Sequence, residues 1–419
     1  MSLSPGGHGA ASSPATVEVE SLSSGGDGVA RLQDGRVVFV AGGVPGDRVV
    51  LDVVEEKKRF AKARIAEVLQ AGPGRVEARC PHFGTCGGCL WQHVAYDVQL
   101  EAKRRVVSDA LERIGGLDLP ERIGIVPSPS PYGYRGRARF VECEDGVGYR
   151  VRGGAGAQAV ETCPVLVPGA EAALVERGRL ARASDGPRAR RTREWVVTTG
   201  SDGASIVTPG GTRKKARGRT GSARHVRLEV AGSTLWVSGD SFVQGNVLLW
   251  EALVESVVAA CLGEDLGPGA RFVELHAGAG FFTLPLAEAG LFGCAIESAP
   301  SAVDDLRGNL AGTAHARSVE VVAGRAETRR DLARRFAGAD LALVDPPRTG
   351  LEPPVCEALV ASGPRRLVYL SCDPGTLARD LAMLTRAGYV LAAVQAFDLF
   401  PQTPHVETLT TLERIPSQP

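Results

Sequence analysis

From residue 241 onward the chain repeats one pattern. A short apolar run stops on a glycine-rich or acidic turn, and a stretch of helical periodicity follows. "RFVEL", "GCAIES", "VEVVAG", "LALVDPPR" and "RLVYLSC" are the runs. Strands alternating with helices predict a doubly wound α/β sheet, with ligands at the carboxyl ends of the strands. At 419 residues the chain exceeds one ordinary core, so further domains precede this one.

Residues 16–70 alternate apolar and polar positions ("ATVEVESL", "RVVFVAGGVPGDRVVLDVV", "AKARIAEVL") between Gly-rich turns. Short strands at that spacing predict a small β-barrel. Its stretch "EEKKRFAKAR" reads either as a solvated hairpin face or as a face for nucleic acid. Residues 71–240 read as a central α+β domain. They include a helix within "HVAYDVQLEAKRRVVSDALERIGG" and a strand, "YGYRGRARFVE", expected to carry Arg135, Arg137 and Arg139 on one face. The basic insert "TPGGTRKKARGRTGSARH" suits a surface loop or phosphate contacts. Residues 1–15 read as a disordered lead, and residues 241–419 form the C-terminal sheet domain.

The formal net charge is zero, so any nucleic-acid surface must be local. No apolar run reaches the roughly 18 residues of a membrane span. The N-terminus lacks the charged start and apolar stretch of a secretory signal. A cytoplasmic protein follows, and nine cysteines that are mostly reduced. Three of them, Cys80, Cys86 and Cys89, are spaced C-x5-C-x2-C, and Cys163 follows in "ETCP". On spacing alone these thiols fit zinc or an iron–sulfur cluster.

The chemistry gathers at strand ends. "VELHAGAGFF" puts Gly278 and Gly280 in a turn that a nucleotide-like ligand can approach, and Glu297 ends the next strand, where an acid can take ribose hydroxyls. Asp345 ends a strand in the rigid exit Asp-Pro-Pro. Cys372 follows another strand, just before a helix start that would favour a thiolate. "FDLFPQTPHVETL" adds His405 and Glu407. A thiol and a carboxylate beside a methyl donor suit covalent catalysis on a weakly nucleophilic carbon.

These residues resemble the RNA uridine-5-methyltransferases. Two signatures carry the resemblance: "DPPRTG" followed after sixteen residues by "LVYLSCDPGT", and "FDLFPQTPHVE". It spans nearly the whole chain and implies a class I S-adenosylmethionine-dependent methyltransferase fold, with residues 16–70 as an OB-like TRAM barrel that binds RNA. By the same resemblance Cys372 is the nucleophile and Glu407 the base. Gln244 (in "SFVQGN"), His276, Gly278, Phe281, Glu297, Arg325 and Asp345 fall at cofactor positions. Cys80, Cys86, Cys89 and Cys163 match the ligands of a [4Fe–4S] cluster in the branch acting on 23S ribosomal RNA, which makes that RNA the expected partner of a monomeric, membrane-free enzyme. A transfer-RNA substrate and a non-catalytic RNA-binding assembly factor are the alternatives. The family usually has Asn where Asp373 stands here, and an aromatic and Asn where His276 and Phe281 stand. A carboxylate beside the nucleophile should raise the thiol's pKa unless it is paired or turned away. An adenine N-methyltransferase also uses an acid-Pro-Pro motif but follows it with an aromatic, where this chain has Arg348.

Overall fold

The computed structural model describes residues 15–119, 122–154, 156–183, 193–210 and 225–415. The expected disordered lead and most of the basic insert lie outside the described residues. Contacts divide the chain into two compact units. One comprises the chain up to Ala78, Leu90–Ala102 and Gln402–Pro404. The other comprises Arg79–Cys89, Lys103–Pro401 and the chain from His405.

In the first unit six strands form one sheet, in the order Thr16–Glu18, Arg48–Glu56, Phe60–Gln70, Val37–Ala41, Gly28–Arg31 and Ser21–Leu22. The first and last of these are separated only by Val19 and Glu20, so the sheet closes on itself as a small barrel. Alternation makes this possible. Val38, Val40, Val49, Leu51, Ala61 and Ala63 point inward and are buried, and alanines leave room in so narrow an interior. Buried Asp47 fixes one end, accepting from the amides of Val44 (2.7 Å) and Gly72 (2.9 Å) and from Arg75 Nε (3.0 Å).

The second unit holds the large sheet. Its strands are β1 (Gly124–Val126), β2 (Arg271–Leu275), β3 (Phe292–Glu297), β4 (Val319–Ala323), β5 (Leu341–Val344), β6 (Arg366–Ser371), β7 (Tyr389–Phe397) and β8 (Glu407–Arg414). The order is β4-β3-β2-β5-β6-β8-β7-β1. Only β8 runs antiparallel to its neighbours. β5 and β6 are buried at every position, as expected of strands covered on both faces. One face packs on a core containing Leu253, Phe272, Leu284, Leu306 and Leu370. The other packs on a core containing Phe336, Leu359, Tyr369, Leu377 and Leu381. Strand β1 comes from far upstream of the sheet's other strands and adds the outermost strand, parallel to β7.

The central segment adds a five-stranded antiparallel sheet, in the order Ala157–Ala159, Gly146–Arg150, Arg137–Cys143, Glu194–Thr199 and Ser205–Pro209. The helix Pro168–Ala183 packs on it, around Tyr134, Phe140, Val147, Cys163 and Leu174. Of the three arginines expected on one face, the strand carries two: it begins at Arg137, and Arg139 follows on the same face. Arg135 lies before it, bridged to Asn246 and Leu166. Arg137 donates to Thr198 Oγ1 (2.5 Å), and Arg139 pairs with Glu194 (2.9 Å) while its side chain stays 62% exposed.

Lys103 and Asp398, far apart in sequence, form an ion pair in which both side chains are 0% exposed. Lys103 Nζ also donates to Phe400 O at 2.9 Å. Removing one partner of a buried pair leaves a charge uncompensated. Lys103→Met should therefore lower stability by about 3–5 kcal/mol, read as a shift of the urea midpoint. Adding Asp398→Leu should recover most of that loss.

Candidate active site

The two strands that deliver the reactive residues are neighbours. In β6 and β8, Ser371 pairs with Thr408. One residue beyond that pair stand Cys372, in the bend after β6, and Glu407, the first residue of β8, and the Glu407 charge is among those that act on the thiol. Asp345 follows β5 on the same edge. Its Oδ2 accepts from Gln244 Nε2 at 3.3 Å, which brings the "SFVQGN" segment to the strand ends. The Gln244 carbonyl is in turn held by Trp250 Nε1 at 2.8 Å.

The loop after Asp345 is fastened to the helix that follows Cys372, Pro374–Arg386. Thr376 Oγ1 donates to Arg348 O (3.1 Å), Arg379 Nη2 to Thr349 O (2.9 Å), and Leu351 N to buried Asp380 (2.8 Å). Asp373 caps this helix, accepting from Thr376 N at 2.9 Å. Its carboxylate is thus turned into the helix end. The charges that act on Cys372 come from elsewhere.

Burial pushes the Cys372 thiol up to about 12, Glu407 and Asp345 add to the rise, and Arg348 opposes it. Burial and the two carboxylates act against the thiolate that the helix start is expected to favour. Burial, then Asp345, likewise raises Glu407 well above the carboxylate range, against Arg348. Asp345 is raised by burial. Arg348 is the cation common to both reactive groups, and its Nη2 lies 3.2 Å from His405 Nε2. Burial, then Arg348 and Lys103, pushes His405 down to about 4, so the imidazole is neutral. Sequence reading gave Arg348 no role. Its position after Asp-Pro-Pro, at the same sheet edge, was the available signal.

The cofactor residues divide. Gly278 (φ +57°) donates its amide to Glu297 Oε2 at 2.9 Å, and Glu297 Oε1 accepts from Ser298 N and Ala299 N at 2.6 Å each. The acid is thereby aimed from the end of β3. A side chain on Gly280 (φ +99°) would meet Leu284 and Leu306 at under 3 Å, so only glycine lets the turn pack there. His276, unusual at φ +63°, lines a cleft of about 330 Å³ with Ile296, Ser298, Arg325, Glu327 and Pro347. Phe281 is a correction: it is buried, with its ring edge-on to Trp250 (6.2 Å) and Phe282 (5.3 Å), and packs the core rather than the cleft. Glu274, which sequence reading passed over, is buried under the turn and accepts from Thr283 Oγ1 at 2.5 Å. Burial pushes it up to about 8.

Cys86, Cys89 and Cys163 border one apolar cluster with Tyr132 and Tyr149, and Tyr149 OH lies 3.8 Å from Cys163 Sγ. Burial pushes Cys163 up to about 11, and the charges of Cys80 and Cys86 add to that. Cys80, Cys86 and Cys163 are therefore electrostatic neighbours. Among the described residues, however, no three His, Cys, Asp or Glu side chains converge tightly enough to hold a metal ion. Among the described residues no helix is long and apolar enough to cross a membrane.

Residues 225–415 match the family model for tRNA (uracil-5-)-methyltransferases, and residues 14–66 match the TRAM domain. An RNA methyltransferase of Gloeobacter violaceus is 34% identical, covering 95% of this chain and 96% of its own. The 23S rRNA (uracil(1939)-C(5))-methyltransferase RlmD of Halomonas elongata is 32% identical over 94% of this chain and 88% of its own. The crystal structure of Pyrococcus abyssi tRNA (uracil-54, C5)-methyltransferase in complex with S-adenosyl-L-homocysteine superposes with a TM-score of 0.70 at 25% identity, covering 94% of this chain and 99% of that one. With relatives at 32% identity over nearly the whole chain and the family model matched over its C-terminal half, the chain is a member of the RNA (uracil-5-)-methyltransferase family.

Proposed function

We propose that the protein transfers a methyl group from S-adenosylmethionine to carbon 5 of a uridine in 23S ribosomal RNA. The β6–β8 register that brings Cys372 and Glu407 to the same end of the two strands carries this reading. Likeness to 23S rRNA enzymes at 32% identity over 94% of this chain supports ribosomal over transfer RNA. The exposed Lys58, Arg59 and Arg64 on the barrel suit phosphate contacts. A soluble, cytoplasmic monomer fits this role.

Carbon 5 of uracil is a poor nucleophile. The Cys372 thiolate adds to carbon 6, forming an S–C bond and an enolate. Carbon 5 of the enolate attacks the sulfonium methyl, and S-adenosylhomocysteine leaves. Glu407 then takes the proton from carbon 5, and the re-formed enolate expels the Cys372 thiolate. Gln244, Asp345, Glu297, Gly278, His276 and Arg325 would bind the donor, with Glu297 taking the ribose hydroxyls. Burial favours the protonated forms of Cys372 and Glu407; the bound donor's positive charge would favour their ionised forms, their protons leaving to solvent. The target base must be splayed from its RNA fold to reach this pocket.

Cys80, Cys86, Cys89 and Cys163 would hold a [4Fe–4S] cluster. Cys86, Cys89 and Cys163 border one apolar cluster, which supports a shared centre. When bound, such a centre would neutralise the thiolates and cross-link the Cys80–Cys89 loop to Cys163.

Purified protein with labelled S-adenosylmethionine should make 5-methyluridine in unmodified 23S rRNA and not in transfer RNA; transfer-RNA-only product would reverse the substrate assignment. Glu407→Gln should accumulate a covalent protein–RNA adduct, and normal turnover would place the base elsewhere. Both reactive acids are raised, so the single-turnover rate should climb as pH rises through their pKa values. Arg348→Met removes the opposing cation and should move that climb to higher pH. An anaerobic preparation should be brown, with iron and sulfide, and Cys86→Ser should lose both.

A further inference from the structure

The loop Asp398–His405 leads from β7 to Glu407, and Asp398 N donates to Val126 O (2.9 Å) at the end of β1. Two buried groups grip its first half. Lys103 holds Asp398 and Phe400 O, as described above. Tyr134, 0% exposed, donates its hydroxyl to Pro401 O at 2.8 Å. The backbone of Tyr134 is pinned on both sides. Its amide donates to Val165 O (3.1 Å), just beyond Cys163, and its carbonyl accepts from Val247 N (2.9 Å). The next residues continue the pattern: Arg135 N donates to Val165 O (2.8 Å) and Gly136 N to Gly245 O (2.9 Å), beside cofactor-contacting Gln244.

One short segment therefore touches three functional pieces: the Cys163 segment, the Gln244 segment and the base loop. Only the last contact is made by a side-chain polar atom. Cys372 lies in the bend after β6, away from the chain segment that Tyr134 holds. We propose that Tyr134 is a positioning residue for the methyl transfer, its hydroxyl fixing the loop that sets Glu407 against carbon 5. This rests on the assignment of Glu407 as base.

The geometry separates this role from general support. Tyr134→Phe keeps the ring in the core and every backbone bond, and deletes only the link to Pro401. Cys372 addition and donor binding should then survive while proton removal slows. A misplacement of this kind lowers rate by roughly ten- to a hundredfold.

The test is single-turnover methylation by full-length Tyr134→Phe with 23S rRNA, run beside wild type and Glu407→Gln, with S-adenosylhomocysteine affinity measured on the same preparations. The expected result is slowed product release, an accumulated covalent RNA adduct and wild-type S-adenosylhomocysteine affinity. Wild-type turnover would overturn the proposal. So would slowed methylation without adduct, or lost S-adenosylhomocysteine affinity, since either shows a general structural effect. If Glu407→Gln itself forms no adduct, the base assignment fails. An adduct in Glu407→Gln and none in Tyr134→Phe removes only the positioning role.

Discussion

The chemistry of this enzyme depends on one antiparallel pairing. β8 runs against β6, and the residues next beyond their last pair, Ser371 with Thr408, are Cys372 and Glu407, at the same end of the two strands. A parallel β8 would put Glu407 at the opposite edge of the sheet from Cys372. Around that pair the remaining parts serve to hold loops. The helix after Cys372 fastens the Asp345 loop through Thr376, Arg379 and Asp380, and Lys103 fastens the start of the base loop.

The electrostatics follow from the same crowding. Burial, Glu407 and Asp345 raise the Cys372 thiol, and burial and Asp345 raise Glu407, with Arg348 opposing both. In the proposed reaction a positively charged methyl donor would shift that balance toward the ionised thiol, coupling donor binding to its activation. Asp373 does not join the crowd because its carboxylate caps a helix. Asp does there what Asn would do, since either side chain caps well.

Much of this was legible in the sequence because strand ends announce themselves. Apolar runs stopping at Glu297, Asp345 and Cys372 gave the doubly wound sheet and its chemically active edge, and alternation gave the barrel. What the sequence hid was set by distant contacts. Nothing in "YGYRGRARF" says that Tyr134 reaches Pro401, or that Arg137 and Arg139 turn to Thr198 and Glu194. Lys103 looks like one cation on a polar helix until its partner Asp398 appears. Phe281 lies in a nucleotide-type turn, yet the core beneath claims its ring. Buried pairings across hundreds of residues leave no local periodicity to read.

The central claim is that Cys372 bonds to the uracil ring while Glu407 awaits the proton. RNA carrying 5-fluorouridine tests it, because fluorine replaces the proton that the base must remove and arrests the reaction as a covalent complex. The complex should form only with S-adenosylmethionine present. After protease and nuclease digestion, mass spectrometry should find a methylated fluorouridine nucleotide on the peptide containing Cys372. An adduct on any other residue, or methylation of ordinary RNA with no fluorouridine complex at all, would contradict the account.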